Sequence, residues 1–413
     1  MESEKPATKV SKGYMVFLIV LMGLVSQLDS WLSLIEATAI PEILNEFWPS
    51  ATNEVARSEF ALLQGLFGIL VFAVFFIGWF GDAYGRKKGI QVLVLTMGIP
   101  AILIVFLSVN VYIFLLLYSL VIMGTTSNLW EIPISEEAPA SKRGLYGSLA
   151  FLIGVIPLYA ILGNRIIYAV GWRWGYGIMF ILMVVVLLMT FGMKETQRWK
   201  DSAATREKRL GVMEAIRKIE RKDRKYILLA TVVYLVWTIS FKMATSWGGE
   251  YFQTVQGLTP EAWTSVLTVA GLLLPVSALI SGILLDKVGR NVVLVMGSLG
   301  SVISLVGLGI TGLQYFYWGA FFFMAAVLAW IYVYLAEIFP TEIRTTSVGV
   351  CVTGARFGYV VGPLISSALL AIFPIMDGFW IIAGLLMIVP LFTLLAKPLE
   401  TKGKELEAIE MER

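Results

Sequence analysis

Apolar residues in this chain run in blocks too long for an ordinary core helix and too uniform for strands. A helix needs about 20 residues to cross the ~30 Å hydrocarbon layer of a bilayer. About twelve blocks approach that length, near 14–36, 59–80, 89–108, 111–135, 145–166, 173–193, 226–249, 262–285, 292–311, 313–338, 346–370 and 378–397. Strand-length alternation of polar and apolar positions is absent, so helices rather than a barrel satisfy the backbone in lipid. The expected fold is an all-α membrane protein. Its one long polar stretch, 194–225, divides the spans six and six. The expected units are a six-helix bundle over 1–193, a basic linker over 194–225, a second bundle over 226–397 and a polar tail over 398–413. Within the linker Val212, Met213, Ile216 and Ile219 share one helical face opposite lysines and arginines. That is the pattern of a helix lying on a membrane surface.

Composition agrees: 58% of the 413 residues are hydrophobic and 15% charged. The net charge of +3 matters less than its placement. Lysine and arginine collect before the first span, at Arg86–Lys88, at Lys142–Arg143, along 194–225, at Lys287–Arg290 and in the tail. The intervening connections hold mostly acids, such as Glu42, Glu46, Glu54, Glu250 and Glu261. This asymmetry predicts a plasma-membrane protein with both termini cytosolic and an even number of spans. The first 14 residues lack a small-residue cleavage site, so the first span is expected to be retained. There is no histidine, and the single cysteine, Cys351, falls inside a span. No intrachain disulfide, metal centre or imidazole shuttle is expected. A phosphate-cradling Gly-x-x-x-x-Gly-Lys-Ser/Thr loop is missing as well. No cofactor and no enzymatic activity are expected.

Two charged signatures each occur twice. Gly78-x-x-x-Asp82-x-x-Gly85-Arg86 recurs as Gly282-x-x-x-Asp286-x-x-Gly289-Arg290, the aspartates standing 204 positions apart (82 to 286). Glu136-x-x-Pro139-x-x-x-Arg143 recurs as Glu337-x-x-Pro340-x-x-x-Arg344, with the glutamates 201 apart (136 to 337). Nearly one offset for two unrelated motifs means a duplicated unit. In a membrane protein, paired halves are the architecture of a transporter.

These segments carry a resemblance. GWFGDAYGRKK resembles the signature between the second and third helices of the major facilitator superfamily. EEAPASKRG and AEIFPTEIRTTSVG resemble its paired signatures after helices four and ten, most typical of the sugar porter, organic-ion and metabolite–proton symporter branches. GWRW at 171–174 and ARFGYVVGPL at 355–364 point the same way. The resemblance covers nearly the whole chain. It implies two pseudo-symmetric six-helix bundles, a central cavity lined mainly by helices 1, 4, 7 and 10, and alternating access. It also implies that Asp82, Arg86, Glu136, Arg143, Asp286, Arg290, Glu337 and Arg344 form ion-pair networks latching the inner gate. The chain departs where sugar porters usually carry Gln-Gln-x-Ser-Gly, reading VWTISFKMATSWGGEYFQ. Leu120 stands where many relatives hold an arginine.

Ionisable groups inside lipid are costly and mark function by default. Asp29, Glu36, Glu131, Lys242 and Arg356 are singled out on this ground, while Arg165 lies in a span but close to its outer end and is discounted. At 1.5 Å per helical residue Asp29 and Lys242 lie roughly 22 and 24 Å deep, which predicts that they pair. Glu131 and Arg356 share a shallower depth and are expected to pair at the inner gate. Polar stripes accompany them: Ser26, Asp29, Ser33 and Glu36; Asn128 and Glu131; Thr238, Lys242 and Thr245. Trp31, Trp130, Trp237, Trp247 and Trp330 are candidate cavity walls, of which no more than two are expected to serve. Asp29, Glu131 and Glu36 are the proton-coupling candidates. Asp29, Trp31, Asn128, Trp130, Glu131, Lys242, Trp247, Trp330 and Arg356 are the substrate-binding candidates.

The expected function is proton-coupled symport of a small polar metabolite, organic acids slightly ahead of sugars. A sugar, polyol or organic-cation transporter and a transporter-like membrane sensor are the alternatives. The expected partners are the small-molecule substrate, protons and bilayer lipid, with no nucleic acid, and the chain is expected to act as a monomer.

Overall fold

A computed structural model describes residues 11–139, 143–197, 199–200, 221–339, 344–404, 409 and 411–412. The amphipathic stretch expected at 212–219 and the connections around Pro139 and Pro340 lie largely or wholly outside the described residues. The described chain is helical. The first half contains α1 (Lys12–Leu34), α2 (Glu36–Phe47), α3 (Asn53–Phe67), α4 (Val74–Tyr84), α5 (Arg86–Leu107) and α6 (Val111–Thr125). It continues with α7 (Glu131–Glu137), α8 (Arg143–Gly154), α9 (Asn164–Val170), α10 (Trp172–Gly177) and α11 (Met179–Gly192). The second half contains α12 (Arg221–Gly249), α13 (Pro260–Val288), α14 (Arg290–Thr311), α15 (Gln314–Ile338), α16 (Arg344–Arg356), α17 (Gly358–Ile372), α18 (Asp377–Leu386) and α19 (Val389–Thr393).

Joined end to end, these pieces give, among the described residues, 11 helical segments long and apolar enough to cross a bilayer, plus the shorter apolar helix Val111–Thr125. Large apolar side chains such as Phe76, Phe191 and Ile303 stay exposed, as a lipid-facing surface requires. The helices begin where side chains can take orphan amides: Ser11, Asn110 and Thr259 accept from the third residue on. At both copies of the first motif the chain turns through Gly85 (φ 112°) and Gly289 (φ 109°), a conformation that a Cβ would strain.

Several spans are broken, and the breaks matter to the site. The span expected at 14–36 continues past a turn at Ile35 into α2, so Glu36 sits mid-span rather than near a surface. The 111–135 span stops at Thr125, where Thr125 and Thr126 hydroxyls donate back to the Ile122 and Met123 carbonyls. Pro133 then lacks the amide that a continuous helix would need, and Glu131 opens the separate helix α7. Near Pro157 the chain breaks between Gly154 and Tyr159, as a proline kink predicts. At 362–363 the proline brings no break: α17 runs through Pro363, and the interruption falls at Phe357.

The two halves meet along two main contacts, α3 against α17 and α2 against α12. The backbones approach closely at Gly249, where a Cβ would stand 1.6 Å from the Ala37 carbonyl oxygen. Only glycine permits that contact.

Candidate functional site

Between the halves lies a cavity of about 1050 Å³. Its walls come from both halves: Ser26, Asp29, Ser30 and Ser33 of α1, Thr125, Thr126, Trp130 and Glu131 around the α6–α7 break, and Tyr234, Trp237, Thr238, Phe241, Lys242 and Thr245 of α12. Tyr332 of α15, Arg356 of α16 and Tyr359 of α17 also line it. Hydroxyls, aromatic faces and a few charges thus converge on one space, the composition expected of a small-ligand site. Trp237 stacks on Phe241 at 4.8 Å and 12°, giving a flat wall. Asp29 accepts from Ser33 at 3.2 Å. Arg356 Nη2 donates to the Thr126 carbonyl at 3.0 Å, while its Nε has no partner among the described residues.

The cavity wall reaches Ser135, Gly282 and Leu285, next to the motif residues Glu136 and Asp286. We call this the motif end. The opposite, far end is sealed by bonds between the halves. Arg57 Nε donates to Glu250 at 2.8 Å, with both side chains about 2–3% exposed, and Arg57 Nη1 donates to the Pro374 carbonyl at 2.8 Å. Trp263 Nε1 donates to Thr38 at 3.0 Å, Asn164 to Thr264 at 3.0 Å and Tyr168 to Gln253 at 2.5 Å. Deeper in, Glu36 accepts from Lys242, Ser246 and Tyr118, and from Gln64 at 3.3 Å.

The duplicated motifs build one device twice. Arg86 pairs with Asp82 and, at 3.0 Å, with Glu136. Arg290 pairs with Asp286 at 3.3 Å and Glu337 at 2.7 Å. Sequence reasoning missed a third partner in each half. Glu195 accepts from the Arg86 and Lys87 amides, and Glu400 from those of Arg290 and Asn291, so each caps a helix N-terminus. Thr196 and Thr401 then donate to Glu136 (2.5 Å) and Glu337 (2.6 Å). The available signal was a repeated Glu-Thr at 195–196 and 400–401. Burial alone would raise the Glu400 carboxyl, but the amides of Asn291, Arg290 and Lys402 outweigh it and hold it below the usual carboxylate range.

Other expectations are corrected. The described ion pairs of these motifs each lie within one half, in a structure whose cavity reaches the motif end. The Arg143 and Arg344 side chains, and that of Asn128, lie outside the described residues. Asp29 does not pair with Lys242, whose ammonium is taken by Glu36, because the break at Ile35 and the continuation into α2 bring Glu36 into its reach. Glu131 and Arg356 both line the cavity without an ion pair between them among the described residues. Of the five tryptophans, Trp130 and Trp237 are on the wall. Trp31 is buried, donating to the Gly175 carbonyl at 2.7 Å. Trp247 packs edge-on against Phe60 and Phe379, and Trp330 stacks on Tyr334 at 4.5 Å, all away from the cavity. Tyr234, Tyr332 and Tyr359 are wall residues that sequence reasoning overlooked.

Comparison with known proteins agrees with this architecture. Residues 19–332 match the family model of the Major Facilitator Superfamily. The chain is similar to the arabinose-proton symporter of Bacillus subtilis, 23% identical over 99% of this chain and 97% of that protein. It is 25% identical to the D-xylose-proton symporter of Escherichia coli, over 70% of this chain and 68% of that one. A crystal structure of a D-xylose-proton symporter superposes with a TM-score of 0.75 at 20% identity, covering 95% of this chain and 100% of that one. With twin helical halves around one cavity, and a family match over most of its length, this chain belongs to the Major Facilitator Superfamily and is a multi-pass membrane transporter rather than an enzyme.

Proposed function

We propose that the protein imports a small hydroxylated solute of the sugar or polyol class together with a proton, opening its cavity alternately to the two sides of the cell membrane. In this reading the motif end and both termini are cytosolic, which the lysine and arginine placement supports, and a single chain is the working unit. The observation that carries it is the cavity of about 1050 Å³ between the halves, reaching the motif end and sealed at the far end by Arg57–Glu250 and its neighbours. Rocking of two braced halves about such a site is how paired-bundle transporters expose it to each side in turn.

The preference for an organic acid gives way to a sugar on two grounds. Lys242, which would have attracted an anion, spends its charge on Glu36, leaving Arg356 against Asp29 and Glu131 on the cavity wall. The relatives named above are symporters of arabinose and xylose. Serine and threonine hydroxyls suit the polar rim of a sugar, and Trp130, Trp237 and the wall tyrosines suit its apolar ring faces. Asp29 and Glu131, the two carboxylates named on the cavity wall, are the proton carriers in this scheme.

One observation favours a second reading. Two wall carboxylates against one cation that has no ion-pair partner among the described residues, beside aromatic rings, also suit an organic cation. Uptake into proteoliposomes, acidic outside, separates the two. Accumulation of D-xylose, L-arabinose or D-glucose that collapses with the gradient supports the proposal. No sugar uptake, with tetraethylammonium or choline uptake instead, supports the second reading.

A further inference from the structure

The two halves do not line the central cavity alike. The first half brings both wall carboxylates and most of the hydroxyls, with Ser26, Asp29, Ser30 and Ser33 on α1, Glu131 on α7 and Ser148 on α8. In the second half α13 contributes Leu274, Ala278 and Leu285, and α15 contributes Ala325, Leu328 and Ala329. Val352 and Ala355 of α16 extend this apolar side, on which Tyr332 and Arg356 are the polar groups among the described residues.

The apolar side is ordered by helix register. The face that α13 turns to the cavity repeats at 274, 278, 282 and 285, and that of α15 at 325, 328, 329 and 333, each a single helical stripe. Hydroxyls on α13 point elsewhere: Ser277 donates to the Phe322 carbonyl at 2.5 Å, and Ser281 is buried. The Ser277–Phe322 bond sets Ala278 within a turn of Ala325. With Gly282 and Ala329 added, the seam between the two stripes carries side chains of at most one carbon. Larger residues would fill that seam, and these leave it as a recess. Trp237 Nε1 donates to the Met324 carbonyl at 2.7 Å, which holds the flat Trp237–Phe241 stack at the edge of the recess, beside Ala325.

Apolar surface facing water is unfavourable, and an apolar group that covers it recovers the difference. A free sugar carries hydroxyls around its whole rim, and Trp130 and Trp237 already serve its ring faces in the reading above. It would leave the α13–α15 recess uncovered. A sugar bearing an apolar substituent on one side would cover it, while its hydroxyls meet α1 and α8.

We propose that the transported solute is a glycoside, a sugar carrying an aryl or short alkyl group, with its sugar against α1, α7 and α8 and its substituent between α13 and α15. This rests on the sugar reading above and narrows it.

Uptake into proteoliposomes, acidic outside, compares phenyl β-D-xylopyranoside and phenyl β-D-glucopyranoside with D-xylose and D-glucose. At least one glycoside should accumulate with a kcat/KM about tenfold or more above that of its parent sugar, the gain expected from burying an aromatic ring. Ala329→Phe, which fills the recess, should bring that ratio below about threefold. Should this variant not fold, Leu328→Ser, which makes the recess polar, decides by the same ratio. A native ratio short of the expected gain, or a glycoside that blocks sugar uptake without accumulating, overturns the proposal and leaves the sugar reading intact. A glycoside preference that survives the substitutions overturns the assignment of the recess. If neither sugar nor glycoside enters, the sugar reading fails, and this proposal with it.

Discussion

Replacing Arg57 with methionine removes the cation from the far-end seal and leaves Glu250, about 3% exposed, holding a buried charge with Thr254 its one remaining side-chain donor among the described residues. Breaking a buried pair by deleting one partner costs about 3–5 kcal/mol. Because Arg57 and Glu250 sit on opposite halves, that cost falls on the far-end-closed state alone. At about 1.4 kcal/mol per decade, the closed-to-open ratio should fall by roughly two to more than three orders of magnitude. Ser367 offers a readout, since it is buried at this interface 3.2 Å from Ser58. In a Ser367→Cys background, an impermeant maleimide added on the far side should label Arg57→Met at least about a hundredfold faster than the parent. The double variant Arg57→Met, Glu250→Met should return most of the way, because removing both partners leaves no orphaned charge. Unchanged labelling in the single variant would refute the assignment of this pair as an inter-half seal.

Three further outcomes follow from the same geometry. Gly249→Ala places a Cβ where the Ala37 carbonyl stands 1.6 Å away, so the halves cannot close there, and Ser367→Cys should label at the fast rate whatever the pH. Glu400 is held below its usual range, so its stabilisation is complete above the ordinary value of 4.5 and is lost as pH falls through the lower folded value. Melting temperatures should therefore favour the native protein over Glu400→Gln near neutrality and converge in acid. Trp237→Ala should weaken substrate binding about tenfold or more by losing its stacking face, whereas Trp330→Phe, away from the cavity, should leave binding unchanged as read by ligand-induced shifts in melting temperature.

The duplicated motifs made the twin-half fold legible, because one offset joined two unrelated signatures and the apolar blocks supplied the helices between them. The polar stripe of α12 was legible too: Thr238, Lys242 and Thr245 recur at helical spacing and share the cavity wall. Partnership was harder to read. Glu36 is the last residue of the span expected at 14–36, which puts it near the outer surface, yet the helix runs on to Phe47 and carries that carboxylate to Lys242. A depth count along straight helices could not see the turn at Ile35. Tryptophans carry no mark of the face they occupy in an apolar helix, so Trp31, Trp247 and Trp330 could not be told from Trp130 and Trp237. Motif spacing also shows which groups meet within a half, such as Arg86 with Glu136, and says nothing about contacts across the interface.

The most direct test measures both ends of the molecule at once. Spin-label pairs at Val109 and Leu313 on the far end, and at Tyr84 and Val288 on the motif end, should move in opposite senses when a transported solute or acid is added, one distance growing as the other shrinks. Two distances that stay fixed, or lengthen together, would contradict a carrier whose halves rock about a single cavity.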